Sequence, residues 1–299
     1  MSIHVVVATK GRPMETGILL HFLSLQSRQA DEVLIVGSSR DDLPLMTIEE
    51  RGDHTSIIAE RAGSSHQRNV GIRRILDSVS DTSKAIIVFF DDDYRPGREW
   101  LKECELAFAT DPTIAGITGV VVADGMRSTP INEVEAATLL AAAERSTRGA
   151  TNELPQTSLY GCNMAVRADH LLTRQFCEEL PLYGLFEDMD LSGQLKSAGK
   201  LVCASRCIGI HLGVRKARTS EMRLGYSQIA NPIWLQRRGT ISLRKCMVMV
   251  LRKIGANCVK SLLPNEMSDY RGRLRGTVMA LSDLLRGKID PRRILDIPG

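Results

Sequence analysis

Short apolar runs alternate with longer amphipathic stretches along the front half of the chain. Residues 3–8 form an apolar run that stops at Thr9-Lys10-Gly11-Arg12-Pro13. A second run, 32–36, closes into Gly37-Ser38-Ser39-Arg40-Asp41-Asp42, and a third, 85–90, ends in Asp91-Asp92-Asp93. Each is too short for a typical helix and rich in β-branched or aromatic residues, so each predicts a buried strand. Residues 14–27 and 65–78 read as helices; in the second, Val70, Ile72, Ile75 and Leu76 share one face, leaving Arg68, Arg73 and Arg74 elsewhere. A helix over 99–109 and a strand over 114–123 continue the alternation. This β-α-β-α-β order predicts an α/β domain with a parallel sheet. Ligands of such sheets sit beyond the carboxyl ends of the strands, where the three polar loops converge.

The pattern then loosens. Residues 124–157 place Gly125, Pro130, Gly149 and Pro155 around one helical patch, a length often used for a substrate lid. Strands are expected over 159–167 and 201–208, with a helix over 187–197 between them. Near the end, 243–263 is amphipathic. Cys246, Met247, Val250, Leu251, Ile254 and Cys258 fall on one face, opposite Lys245, Arg252, Lys253 and Lys260. Such a helix either docks its apolar face on a core or lies on an anionic membrane surface.

Charge divides the chain more sharply than its total suggests. The 299 residues carry a net charge of +4, yet residues 212–299 hold 18 Lys/Arg against 6 Asp/Glu. The front is acidic and the tail basic, which suggests anionic partners for the tail. We therefore expect a domain over 1–215 and a basic helical region over 216–299. Only five Tyr, six Phe and two Trp are present, and the tail does not interleave them with its cations, so nucleic acid is not an expected partner. Seven cysteines without a Cys-x-x-Cys pair fit reduced thiols and a cytoplasmic setting. The N-terminus reads as a core strand rather than a signal peptide, and no apolar run reaches the ~20 residues of a membrane span.

The candidate chemistry lies in the carboxylates. Three like charges at the end of a buried strand repel one another, and stability gives no reason for them. They suit a hard divalent cation, Mg²⁺ or Mn²⁺, shared with phosphate, although a solvated acidic turn has the same composition. Glu187-Asp188-Met189-Asp190 offers three more; the helix dipole favours acids there, but three exceed what capping needs, which makes a general base plausible. His211 ends another apolar run, either as a structural residue or as a metal ligand. Arg68 and Asn69 stand near a helix start, placed to order the strand ends or to touch phosphate. Gly-x-Gly-x-x-Gly and the P-loop pattern are both absent.

In order, Val5–Pro13, Gln67-Arg68-Asn69-Val70-Gly71, Val88–Pro96, Gly161–Arg167 and Phe186–Leu191 resemble glycosyltransferase family 2, inverting nucleotide-sugar enzymes with the GT-A fold. The resemblance covers about residues 3–212. It implies a Rossmann-like, mixed but mostly parallel sheet with helices on both faces. Carried over, it puts Thr9, Arg12 and Arg68 with the donor nucleotide, and Asp91 at its ribose. Asp93 binds Mg²⁺ or Mn²⁺ with His211 as a further contact, and Asp92 shares either role. Asp188 is the implied catalytic base, with Asn163 and Glu187 near the sugar or acceptor. The implied partners are a nucleotide-sugar donor and a glycan or lipid-linked acceptor. Gly37-Ser38 stands where many relatives carry an acid that holds the base, leaving Asp41 or Asp42 as substitutes. The Gln-x-x-Arg-Trp pattern of processive synthases is absent, which favours single transfers. A sugar-phosphate nucleotidyltransferase and a non-catalytic carbohydrate- or nucleotide-binding module are the alternatives.

Overall fold

The computed structural model describes residues 1–44, 54–126, 129–146, 153–156, 158–214, 216, 219–262 and 269–298. Gly149 of the expected lid, Arg215 at the expected domain boundary and Leu263 of the expected helix lie outside them. The chain divides into two compact units: 1–62, 66–175 and 194–217 make the first, and 63–65, 176–193 and 218–299 the second. The second unit thus takes in more than the basic tail.

The first unit is built on a mixed nine-stranded sheet. Four strands, β1 (Ser2–Ala8), β2 (Glu32–Gly37), β3 (Thr55–Ile58) and β4 (Ala85–Asp91), run parallel in the order β3-β2-β1-β4. Then come β8 (Asn163–Arg167), antiparallel to β4, then β6 (Ile114–Asp124), β9 (Lys200–His211) and β5 (Tyr94–Pro96). A last strand, β7 (Glu153–Pro155), pairs with β9 off this path. The expected strands are present. The short β3, β5 and β7, which carry little apolar signal, appear in addition.

Burial explains the apolar runs. Residues 85–90 of β4 have no exposed surface, as a strand covered on both faces should. Each of the larger side chains, at 86–90, contributes about 1.5–3 kcal/mol of burial. Beyond β4, Phe90 stacks on Tyr94 at 5.4 Å and meets Trp100 edge-on at 4.8 Å, the latter from α3 (Trp100–Thr110). The helices α1 (Pro13–Ser24) and α2 (Ser64–Ser78) follow β1 and β3. Gly71 lets α2 lie close on β1, because a Cβ there would sit 2.6 Å from Val6 Cγ1. The expected loose stretch contains α4 (Glu133–Ser146), whose Ala136, Leu140 and Ala143 pack on Ile208 and Ile210.

The second unit is helical: α5 (Glu187–Leu195), of which residues 187–193 belong here, then α6 (Glu221–Arg237), α7 (Leu243–Ser261) and α8 (Tyr270–Leu285). Tyr226, Ile229, Ala230, Ala280, Ile289, Ile294 and Ile297 form its main core. Gly225 and Gly276 stand where α6 and α8 cross, each with the other helix's backbone in the place of a Cβ. No described helix is long and apolar enough to cross a membrane.

Candidate active site

Sheet register brings the candidate ligands of the first unit together. Ala8 of β1 lies beside both Val36 and Asp91. On the other side of the sheet, His211 ends β9 between Asp124 of β6 and Tyr94 of β5. The turn Asp91-Asp92-Asp93 joins β4 to β5, so it spans from the parallel half to the strand that pairs beside His211. One ligand atom from each of Asp91, Asp93 and His211 falls within 4.8 Å of the others. Two carboxylates and an imidazole form a donor set that suits Mg²⁺ or Mn²⁺, and the residues fit such an ion.

The three aspartates separate into different roles. Asp93 is buried; its Oδ1 lies 3.3 Å from His211 Nε2, and its Oδ2 accepts from the Val214 N–H at 2.8 Å. Burial would raise its pKa, but His211, Arg12 and the Val214 N–H hold it below the ordinary carboxylate value. Asp91 is half-buried and lies 3.9 Å from His211 Nε2, which groups it with the metal donors as well as with the ribose contact implied by the resemblance. Asp92 points elsewhere. Its two oxygens accept from Thr9 Oγ1 at 2.8 Å and from the Arg12 guanidinium at 2.9 Å. Burial pushes its carboxyl up, and Arg12 opposes this. The triplet is therefore an anchor flanked by two donors.

Thr9 and Arg12, expected at the nucleotide, are both engaged with that anchor. Thr9 is buried and also accepts from Thr16. Arg12 reaches the carbonyls of Val214 at 2.9 Å and Lys216 at 3.0 Å, holding the loop after β9 to the loop after β1. Arg68 is buried and donates to Asp91 at 2.7 Å and to the Gly161 carbonyl at 3.1 Å, so it orders the strand ends. Asn163 has no exposed surface; its amide donates to Tyr94 Oη at 2.9 Å and accepts from Thr118 at 3.0 Å. That places it among the strands β5, β6 and β8. Of the two candidate base-holding acids, Asp41 is exposed and Asp42 is buried. Asp42 accepts from the N–H groups of Gly11, Ser38 and Ser39 and from Ser38 Oγ, all within 2.9 Å. It ties the β1 and β2 loops together.

Asp124 was not legible as a site residue. Its Oδ1 lies 3.0 Å from His211 Nδ1, and its Oδ2 accepts from Tyr160 Oη at 2.9 Å. In the neutral ring this fixes the proton on Nδ1 and turns the Nε2 lone pair toward Asp91 and Asp93. Burial would lower the His211 pKa, but Cys162, Asp124 and Asp93 raise it well above the ordinary value. Arg95 was missed too. With no exposed surface, it pairs with Glu133 at 2.7 Å and donates to the Asp92 carbonyl at 3.0 Å. The sequence cue for Asp124 is its place at the end of an apolar run, and for Arg95 its place just after the aspartate triplet.

In the second unit, the carboxylates of the Glu-Asp-Met-Asp turn divide as well. Glu187 is buried and accepts from Ser64 Oγ at 2.7 Å and Ser65 Oγ at 2.8 Å. Asp190 has no exposed surface and accepts from Thr240 Oγ1 at 2.8 Å and Arg238 Nε at 3.2 Å. Asp188 keeps surface; one of its oxygens accepts from the Met189 N–H at 2.7 Å. Two of the three therefore hold the fold, and the half-exposed one is the residue implied as base.

No family model matches the sequence, and no curated protein does. Solved structures do resemble the fold. The mannosyltransferase PcManGT from Pyrobaculum calidifontis, solved with GDP-Man and Mn²⁺, aligns at TM-score 0.52 and 14% identity, over 94% of this chain and 87% of that one. Glucosyl-3-phosphoglycerate synthase from Mycobacterium tuberculosis, with Mn²⁺, UDP-glucose and phosphoglyceric acid, aligns at 0.52 and 20%, over 81% of each chain. TarS from S. aureus aligns at 0.50 and 16%, over 77% of this chain; the chain spans 40% of the length of TarS. The fold is GT-A, as the motifs led us to expect.

Proposed function

We propose that the chain is an inverting glycosyltransferase that moves one sugar from a nucleoside-diphosphate sugar to a hydroxyl of a glycan or lipid-linked acceptor. The observation that carries this reading is the convergence of Asp91, Asp93 and His211 at the strand ends of a GT-A sheet. Asp91, Asp93 and His211 would hold a divalent cation, which would supply positive charge to the departing diphosphate. Asp92 and Arg68 keep the two donor carboxylates in place, and Asp124 keeps the imidazole turned toward them. Asp188 is assigned the base that removes the acceptor hydroxyl proton as the oxygen attacks the anomeric carbon; its motif and its half-exposed position support this. A lipid-linked acceptor would lie at a membrane face. No described helix is long and apolar enough to cross a membrane, and the contact proposed there is peripheral.

A thermal-shift screen of UDP, GDP and dTDP, with and without Mn²⁺, tests the reading. A ligand at a hundredfold excess over its Kd adds about 2.7 kcal/mol, a Tm rise of about 5 °C or more. The expected result is a metal-dependent rise with one nucleotide, lost in Asp93→Ala. Turnover of that nucleotide's sugar, with the anomeric configuration read by NMR, then separates a transferase from a nucleotidyltransferase, which would release diphosphate from a nucleoside triphosphate. No shift with any nucleotide would contradict the reading.

A further inference from the structure

The amphipathic stretch expected over 243–263 forms α7, but its apolar residues do not all turn inward. Cys246 is buried, and Val250 and Ile254 pack into the cores of the second unit. Met247 and Leu251, from the same expected face, are instead 53% and 63% exposed. Val248, Val259 and Leu262 join them, the last two 62% and 83% exposed. At 100° per residue, these five span about a third of the helix circumference. The result is an outward apolar stripe from Met247 to the C-cap residue Leu262, interrupted at Gly255 between Leu251 and Val259. Scattered exposed apolar residues need no explanation, but five aligned on one face do.

The charges around the stripe indicate what covers it. Arg244 and Arg252 on α7 are exposed, and neither has an ion-pair partner among the described residues. Leu262 also lines a cleft of about 890 Å³ with Val278 and Met279, and Arg271, Arg275 and Arg286 belong to the same lining. These three arginines are likewise exposed and without ion pairs among the described residues. A second copy packed symmetrically on the stripe would bring arginine against arginine. An anionic lipid surface satisfies both parts, taking apolar side chains at the acyl boundary and phosphate against guanidinium.

We propose that the second unit is a peripheral membrane-docking module that lays the Met247–Leu251–Val259–Leu262 stripe of α7 into an anionic lipid surface, with Arg271, Arg275 and Arg286 contacting lipid phosphates. This goes beyond the transferase reading and does not depend on it. The test is co-sedimentation of the full chain with vesicles of phosphatidylcholine alone or mixed with phosphatidylglycerol, without metal or nucleotide. Binding is expected to the mixed vesicles only, weakening as salt rises. Leu251→Gln with Val259→Gln should cut partitioning by about tenfold or more. Each of Arg271→Gln, Arg275→Gln and Arg286→Gln should cut it about fivefold. All five side chains are exposed, so melting should match the parent chain; Met247→Gln with Val248→Gln provides a second apolar pair should the first misfold. No preference for anionic vesicles, or glutamine variants that bind undiminished, would overturn the proposal. So would a dimer in sedimentation equilibrium that Leu251→Gln dissociates while vesicle binding is absent.

Discussion

Two acidic clusters, Asp91–Asp93 and Glu187–Asp190, look alike in sequence and are used differently. In the first, one carboxylate is consumed as an anchor and two face a histidine. In the second, two are consumed by serine, threonine and arginine partners and one keeps surface. The difference follows from the backbone beneath. At the end of a sheet, neighbouring strands deliver His211 and Asp124 to the same place, so several donors converge on one point. The first turn of α5 delivers one residue at a time around an axis, and only the outward one keeps solvent access. Clustered acids therefore have to be sorted by what already holds each oxygen.

Substitutions can break this contrast. The largest effect is expected on turnover: Asp93→Asn should lower transfer about a thousandfold or more, because metal and leaving-group stabilisation go together. Asp188→Asn should lower kcat by about a hundred- to ten-thousandfold with metal and nucleotide affinity unchanged. If Asp188→Asn weakened Mn²⁺ binding as much as Asp93→Asn does, the division of roles would fail. Asp190→Ala tests the consumed partner. Loss of its bonds to Thr240 and Arg238 should cost about 2 kcal/mol in denaturant unfolding.

The smallest effect concerns Asp42 and pH. Burial would raise its pKa, but the Ser38 hydroxyl and the N–H groups of Gly11, Ser38 and Ser39 bring it below the ordinary value. A depressed folded pKa adds stability that is present above the unfolded value, about 3.9, and is lost as pH falls through the folded one. Asp42→Asn should therefore be less stable than the parent at neutral pH, with the gap closing below about pH 4. A gap that stayed constant across that window would show that the charge is not what the loops bind.

Much of the fold was legible because the central strands are buried on both faces. Residues 85–90 read as an apolar run because every position in them is buried, and so are residues 3–7 of β1. The short β5 could not be read that way: its Tyr94-Arg95-Pro96 includes a fully buried arginine, paired to Glu133 from a distant helix. At the site, the donors Asp93 and His211 were visible from their strand ends. The burial of Arg68 and Asn163 was not, since motif spacing says nothing about which way a side chain turns. Asp124 was invisible because only the β6–β9 register places it beside His211. The stripe on α7 was half legible: helical spacing collected its residues without telling which would face a core.

The central claim is that Asp91, Asp93 and His211 hold one divalent cation, with Asp124 orienting the histidine. Titrating the chain with Mn²⁺ and reading free ion by electron paramagnetic resonance measures this without turnover. The account predicts one site, lost in Asp93→Asn and weakened about 10- to 100-fold in Asp124→Asn. Undiminished Mn²⁺ affinity in Asp93→Asn would contradict it.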